Sequence, residues 1–412
     1  MSVGRPDQER AVTASPARAP LLLLVAATSL GPLTINIFIP SMPGLARDFA
    51  TDYATVQLTL TLYLIGIGVG QLLWGPVSDR HGRRPVMIAG LGVYTVGSAL
   101  CLVAPSIELL VVGRVIQSVG GCAGLVTART ILRDVYERNR AASMLAYVTV
   151  GMVLAPMLAP TIGGYLEGWF GWRTAFAVLL VLGLALVGWS FARLVETHHA
   201  RSTSLGLRSM MASCAVLIRH RAFCGYALQI SMGFAIYMTF LAAAPYIMLE
   251  AYGYTPAAMG PWFILVGGCY ALGNFAAGRL SQRKGVDRMI AVGLAIQVVG
   301  VAIGLALALG GVDHPLALFG PVGIMSIGQG LTIPNGTVGA VSIELTRAGA
   351  AAGLAGFLTM ALGAPASYLG GTIADGGTLP VMIVILVATV LAIVSHVAGV
   401  VGARNEASRG AL

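Results

Sequence analysis

Charge is scarce in this chain: Asp, Glu, Lys and Arg together make up 10% of 412 residues, against roughly 25% in an ordinary soluble domain. A soluble fold of this length covers its surface with polar groups, so soluble enzymes, disordered chains and fibrous proteins are excluded. Cysteine is also sparse. Cys101, Cys122, Cys214, Cys224 and Cys269 are odd in number and lack metal-ligand spacing, so they read as small apolar packing residues. The six histidines show no ligand spacing either, and no nucleophile–base pair stands out. No catalytic residue, metal or cofactor is therefore expected. A nucleotide loop of the G-x-x-x-x-G-K-[ST] kind is missing, so nucleotide drive would need another subunit. A cleavable signal is not expected, because the first apolar run, 21–43, is too long and reads as a retained span.

What is present is apolar: 57% of residues, with 54 glycines besides. Polar residues and prolines divide the chain into twelve runs of the roughly 20 residues that a spanning helix needs, from 21–43 to 377–402. The runs are too long and too uniformly apolar for barrel strands, which alternate over about ten residues. The sequence therefore reads as an all-α integral membrane protein with twelve transmembrane helices and no extramembrane domain. The net charge of +9 is a matter of position. With a cytoplasmic N-terminus, 21 of the 25 basic residues fall on one side. Only Arg47 and Arg173 fall opposite, and Arg114 and Arg129 lie within runs. That asymmetry is the positive-inside rule; it predicts both termini in the cytoplasm and argues against nucleic acid as a partner.

The longest interior polar stretch, 196–221, divides the chain six plus six. The expected parts are a tail at 1–20, a bundle at 21–195, a linker at 196–221, a second bundle at 222–402 and a tail at 403–412. Within the linker, 205–218 fits either an amphipathic helix on anionic lipid or a plain tether. A repeat supports the division. GPVSDRHGRR begins at Gly75 and GRLSQRKGVDR at Gly278, and Gly75/Gly278, Ser78/Ser281, Arg80/Arg283 and Gly82/Gly285 coincide at a spacing of 203 residues. Two homologous six-helix halves with a shared mid-membrane site are the plan of a rocker-switch transporter.

The G-x-x-x-D-R-x-G-R-R run, here Gly75, Asp79, Arg80, Gly82, Arg83 and Arg84, resembles the loop signature of the major facilitator superfamily. The chain is also similar to its Bcr/CflA branch of drug:proton antiporters, the chloramphenicol and florfenicol exporters among them. The segments that carry this are QLTLTLYLIGIGVGQLLWGPVSDRHGRRPV (57–86), IPSMP (39–43), GRVIQSVGG (113–121), LRDVY (132–136), APMLAPTIGG (155–164), IPNG (333–336) and AGLAGFLTMALGA (352–364). The resemblance runs from about residue 20 to 400. It implies the major facilitator fold, with its two pseudo-symmetric six-helix bundles, in a bacterial-type inner membrane.

Each motif also has a physical reading. In the 75–84 loop the glycines permit a tight turn, while Asp79 with Arg80, Arg83 and Arg84 can form charge-assisted pairs that lock one conformer. The bland alternative is a topology anchor. Arg114, seven residues into the fourth run, is costly against lipid and either snorkels or faces a cavity; the resemblance implies a proton-coupling arginine. Arg129 lies deeper toward the cytoplasmic end, as a second relay member or a structural salt bridge. Gly151, Pro156, Pro160, Gly163 and Gly164 combine a kink with close helix packing, similar to the antiporter motif that marks exporters. Related exporters carry an aspartate where this chain has Asn36, which cannot titrate. The proton acceptor is therefore open, with Asp134 the first choice and Glu250 the second; His396 reads mainly as packing. Predicted depth and the family pattern put Asn36, Tyr63, Tyr147, Tyr237 and Asn335 in a substrate cavity.

The expectation is a monomeric inner-membrane exporter of small amphipathic drugs, working by alternating access in exchange for protons. Export of an endogenous metabolite, such as an amino acid or sugar derivative, by the same machine is the alternative.

Overall fold

The computed structural model describes residues 20–136, 138–198 and 206–401. The tail expected at 403–412, nearly all of the tail at 1–20, and residues 199–205 of the linker lie outside the described residues. Among the described residues, twelve helical stretches are long and apolar enough to cross a membrane. In chain order the helices are α1 (Leu21–Ile37), α2 (Met42–Asp48), α3 (Tyr53–His81), α4 (Arg83–Leu102), α5 (Ile107–Val135), α6 (Arg138–Phe170) and α7 (Arg173–Arg193). They continue with α8 (Leu207–Ile218), α9 (Arg221–Tyr246), α10 (Pro256–Lys284), α11 (Val286–Leu309), α12 (Pro315–Ser342), α13 (Ala348–Thr372) and α14 (Thr378–Ser395).

The first apolar run is not one straight helix. Pro40 and Pro43 lack the backbone N–H that would continue α1, so the chain passes through a single 3-10 turn at Ile39–Ser41 into α2. Helix α9 similarly runs into a π turn, Ile247–Ala251, after Pro245.

Helices α1 and α3–α7 pack among themselves, as do α9–α14. The groups meet mainly along two seams, α3 against α13 and α6 against α10. The halves share a backbone plan. Helices α3 and α10 are each 29 residues long, and each begins after a side-chain cap: Asp52 accepts from the Thr55 amide and Thr255 from the Ala258 amide. Each ends at a glycine with positive φ, Gly82 at 101° and Gly285 at 84°, whose amide donates to Ser78 O and Ser281 O respectively. Only glycine adopts that turn without strain.

The turns after α3, α5, α7, α10 and α12, with the start of α9, form one basic end of the molecule, carrying Arg83, Arg133, Arg193, Arg221, Arg283 and Arg347 among others. Arg47 and Arg173 mark the far end.

Candidate functional site

The halves are joined most firmly toward the far end. The Tyr53 hydroxyl and the Gln57 amide both donate to Ala242 O, at 2.9 and 3.2 Å. The Tyr53 and Tyr246 rings pack at a tilt with centroids 5.2 Å apart, and Arg47 pairs with Glu250 at 3.4 Å across the surface. On the second seam a methyl group on Gly164 would collide with Pro256 O. Farther along, the Gly260 position abuts Thr161 and the Gly267 position abuts Met157. Helix α3 stays against α13 as far as Gln71 and Leu72, which lie beside Gly356 and Gly353. On the basic side of that level Tyr147 and Val150 of α6 and Val338 of α12 are exposed.

Just inside the far-end seal, the Tyr237 hydroxyl donates to Asn36 Oδ1 at 2.8 Å, bridging α9 and α1 across the midline. The Asn36 amide in turn donates to Pro32 O, the carbonyl of its own helix four residues back. Asn335, also buried, donates to Leu331 O in the same way beside Pro334.

Residues 24–367 match the family profile described as Major Facilitator Superfamily. The chain belongs to that superfamily. It is a multi-pass membrane transporter. Its relatives include an uncharacterized MFS-type transporter, YdgK, of Bacillus subtilis, 31% identical over 83% of this chain and 86% of that one. Multidrug resistance protein D of Escherichia coli is 30% identical over 82% and 84% respectively, and a chloramphenicol resistance protein of Pseudomonas aeruginosa is 29% identical over 78% and 76%. Among solved structures, a bacterial homolog of the human lysosomal transporter Spinster has the same fold, with a TM-score of 0.70 at 14% identity over 94% of this chain and 98% of that one.

In this facilitator the signature loop is a charge lock within one half. Arg83, almost fully buried, donates to Asp79 Oδ1 at 2.5 Å, to Asp134 Oδ2 at 2.9 Å and to Ser78 Oγ at 2.6 Å, tying the end of α3 to the end of α5. Arg84 donates to Leu194 O and Phe191 O at the end of α7. Arg80 is exposed and stands outside this network. Gly75 does not make the turn: α3 continues through it to His81, and Gly82 alone provides the positive φ. Sequence reasoning missed Glu196 as a member. Its carboxylate accepts from the amides of Arg83 and Arg84 at 2.9 and 3.2 Å, and from those of Thr197 and His198. Burial pushes its carboxyl up, but the amides of His198, Arg83, Arg84 and Thr197 outweigh this and hold it below the usual value.

Arg114 is fully buried and has no carboxylate partner within its shell. It donates to Gln117 Oε1 at 2.8 Å and, more weakly, to Thr59 O and Thr34 O at 3.4 Å. Its guanidinium carbon lies 4.0 Å from the Tyr63 ring centroid and 4.7 Å from that of Phe38. Aromatic faces thus take the place of a counter-ion. Gln117, which passes the network on to Ser98, lies within the quoted GRVIQSVGG segment but carried no assignment.

The proposed relay residues are not brought together. Arg114 and Arg129 share α5 at fifteen residues' separation, about 22 Å of helix, and exposed Arg129 donates to Met152 Sδ at 3.5 Å. Asp134 is engaged by Arg83 at the basic end and Glu250 by Arg47 at the far end. Neither Asp134, the first choice for a proton acceptor, nor Glu250, the second, hydrogen-bonds Arg114. The cavity set also divides. Asn36 and Tyr237 meet, Tyr147 is exposed at the basic end of α6, and Tyr63 is sealed inside its own half against Arg114. His396 is buried with its ring 6.4 Å from Tyr226, which donates to Asp287.

The antiporter-like stripe packs in two directions. A side chain on Gly151 would strike Ser29 of α1, and one on Gly163 would strike Ile37 O; Gly164 faces the other half. Pro156 and Pro160 lie within α6 between them.

Proposed function

We propose that the protein is a Bcr/CflA-type exporter of small amphipathic drugs, exchanging them for protons across a bacterial inner membrane. Both termini and the basic end face the cytoplasm in this reading, and the bundles are residues 21–195 and 222–402, joined by 196–221. The observation that carries it is the Asn36–Tyr237 hydrogen bond across the midline. A neutral donor–acceptor pair, shared by the halves just inside a one-ended seal, suits a neutral polar substrate and separates when the halves rock. The names of the relatives in Escherichia coli and Pseudomonas aeruginosa support the drug class.

With the far end sealed, the cavity opens to the cytoplasm and loads drug there. Asn36, Tyr237 and Asn335 contact substrate, with Tyr147 at the entrance. Arg114 is the fixed positive charge of the proton step, held by Gln117 and the aromatic rings in place of an acid. The Arg83 network holds the first bundle together as a rigid body while the seal breaks. The Gly151–Gly164 stripe sets the export geometry of α6. The working unit is a monomer without cofactor or metal.

The test is drug susceptibility of an efflux-deficient host expressing the chain, with and without a protonophore, followed by uptake into everted vesicles. Resistance to chloramphenicol-like compounds that collapses with the gradient is expected. Resistance that survives the protonophore would remove proton exchange. Vesicles that carry an amino-acid or sugar derivative and no drug would favour the metabolite reading.

A further inference from the structure

Helix α8 has three faces. Met210, Ser213, Cys214 and Leu217, spaced at three and four, are buried or half-buried, and α8 packs on α9 and α13. The Cys224 thiol donates to Ile218 O at 2.9 Å, closing the joint between α8 and α9. Roughly 120° around the helix, Met211 and Ile218, with Ala215 between them, form an apolar line that no described residue covers. Met211 is 70% exposed and Ile218 55%. Beside that line, Arg208 and Arg219 stand on one exposed row, three turns apart and about 16 Å along the axis.

Position fixes what such a surface meets. Helix α9, a spanning helix, begins at Arg221, with two residues between it and the end of α8 at Ile218. The exposed line therefore lies at the level where hydrocarbon gives way to headgroups. An apolar row beside a cationic row at that level matches acyl chains on one side and phosphates on the other. A docked protein would need a wider apolar patch than three side chains.

We propose that α8 is a lipid-binding element that lies in the headgroup layer and holds anionic phospholipid through Arg208 and Arg219, with Met211, Ala215 and Ile218 in the acyl region. It clamps the loop between the halves to the membrane surface. The inference needs only the membrane-embedded fold, so it stands apart from the choice of drug or coupling ion.

The experiment is amide hydrogen exchange over 207–218 in the full-length protein, in nanodiscs of phosphatidylcholine alone or of equal parts phosphatidylcholine and phosphatidylglycerol. Exchange is expected to slow by about fivefold or more with phosphatidylglycerol, as each arginine near an anionic surface contributes on that scale, and the gain is expected to fade in high salt. R208Q/R219Q removes the difference between the two compositions, while exchange in α12 stays unchanged. M211S/I218S raises exchange in both. Equal exchange of the parent protein in both nanodiscs would overturn the proposal and leave α8 a plain tether. So would anionic-lipid protection that persists in R208Q/R219Q, or protection reproduced in phosphatidylcholine by adding inorganic phosphate.

Discussion

Arg114 on α5 and Val322 on α12 occupy equivalent places in the two halves. Gly90 packs on Gly120 and Ala123 of α5, and its counterpart Gly293 packs on Gly328 and Leu331 of α12. Six residues back from Gly120 is Arg114, and six back from Gly328 is Val322. Around the arginine stand Phe38, Tyr63 and Gln117; on the other side Phe240, Phe263 and Phe319 interlock at 5.2–5.6 Å. The same helix scaffold thus holds a buried cation in one half and an aromatic plug in the other. A duplicated fold left one copy free to carry charge while its twin supplied packing.

That difference predicts crossed outcomes. Arg114→Met removes a buried charge that lacks a carboxylate partner, which offsets the loss of the donor to Gln117 Oε1, and it is expected to reduce drug export to background in vesicles while the melting temperature changes little. Val322→Ala is expected to lose about 1–2 kcal/mol of stability to a cavity and to keep transport. Should both variants lose stability and both keep export, the two sites differ in packing alone.

The double glycines extend the comparison. Gly163 and Gly164 on α6 correspond to Gly370 and Gly371 on α13, and the division of labour repeats. The first glycine of each pair lies against a carbonyl of its own half, Ile37 O or Thr239 O, and the second meets the opposite half. The obstacles differ in kind. Gly164 faces Pro256 O, fixed backbone, whereas Gly371 faces the buried Gln57 side chain, which has to shift and give up its bond to Ala242 O. Gly164→Ala is expected to oppose closure at the far end by about 1–3 kcal/mol, shifting the conformational equilibrium by about fivefold or more. Gly371→Ala should have a smaller effect, on the order of the one Gln57 hydrogen bond that it displaces. Distance measurements between spin labels on α2 and α10 in the two variants check this, and equal shifts would refute it.

These pairs also show what the sequence made legible. Twelve spans, the six-plus-six plan and the repeat at Gly82 and Gly285 follow from hydropathy and one short motif, because lipid forces every spanning backbone into a helix. Asn36 and Tyr237 were both expected in the cavity, but their mutual bond depends on how two halves dock, which no local pattern encodes. Tyr63 was misplaced because the depth of a residue does not say which side of its helix it occupies. Glu196 escaped notice for a related reason: it lies more than a hundred residues from the amides it caps, within a stretch whose composition reads only as linker.

The turns themselves separate next. Arg83 ties α3 to α5 through two carboxylates, while the residue after Gly285 is Val286. Arg83→Ala leaves Asp134 without its cation, but both carboxylates reach solvent, so it is expected to cost roughly 1.5 kcal/mol, at the lower end for hydrogen bonds to charged groups. Arg288→Ala, at an exposed position in the second turn, should stay within about 0.5 kcal/mol. Thermal melts in detergent distinguish the two, and similar losses would mean that the lock is a surface anchor.

The smallest effect concerns how the third spanning helix of each half begins. Helix α11 carries its own acid, Asp287, in its first turn, where a helix favours negative charge; α4 begins with two arginines instead. It borrows Glu196 from beyond α7. The folded carboxyl sits below its ordinary value near 4.5, so its contribution is complete above that pH and is lost as the pH falls toward the folded value. Glu196→Gln is expected to lower stability by roughly 0.3–1 kcal/mol at pH 7, and the gap from the parent should narrow as the pH falls below about 4.5 toward the folded value. A gap that stays constant across that range would mean that Glu196 acts through shape, with the amide of glutamine failing to fit where the carboxylate does.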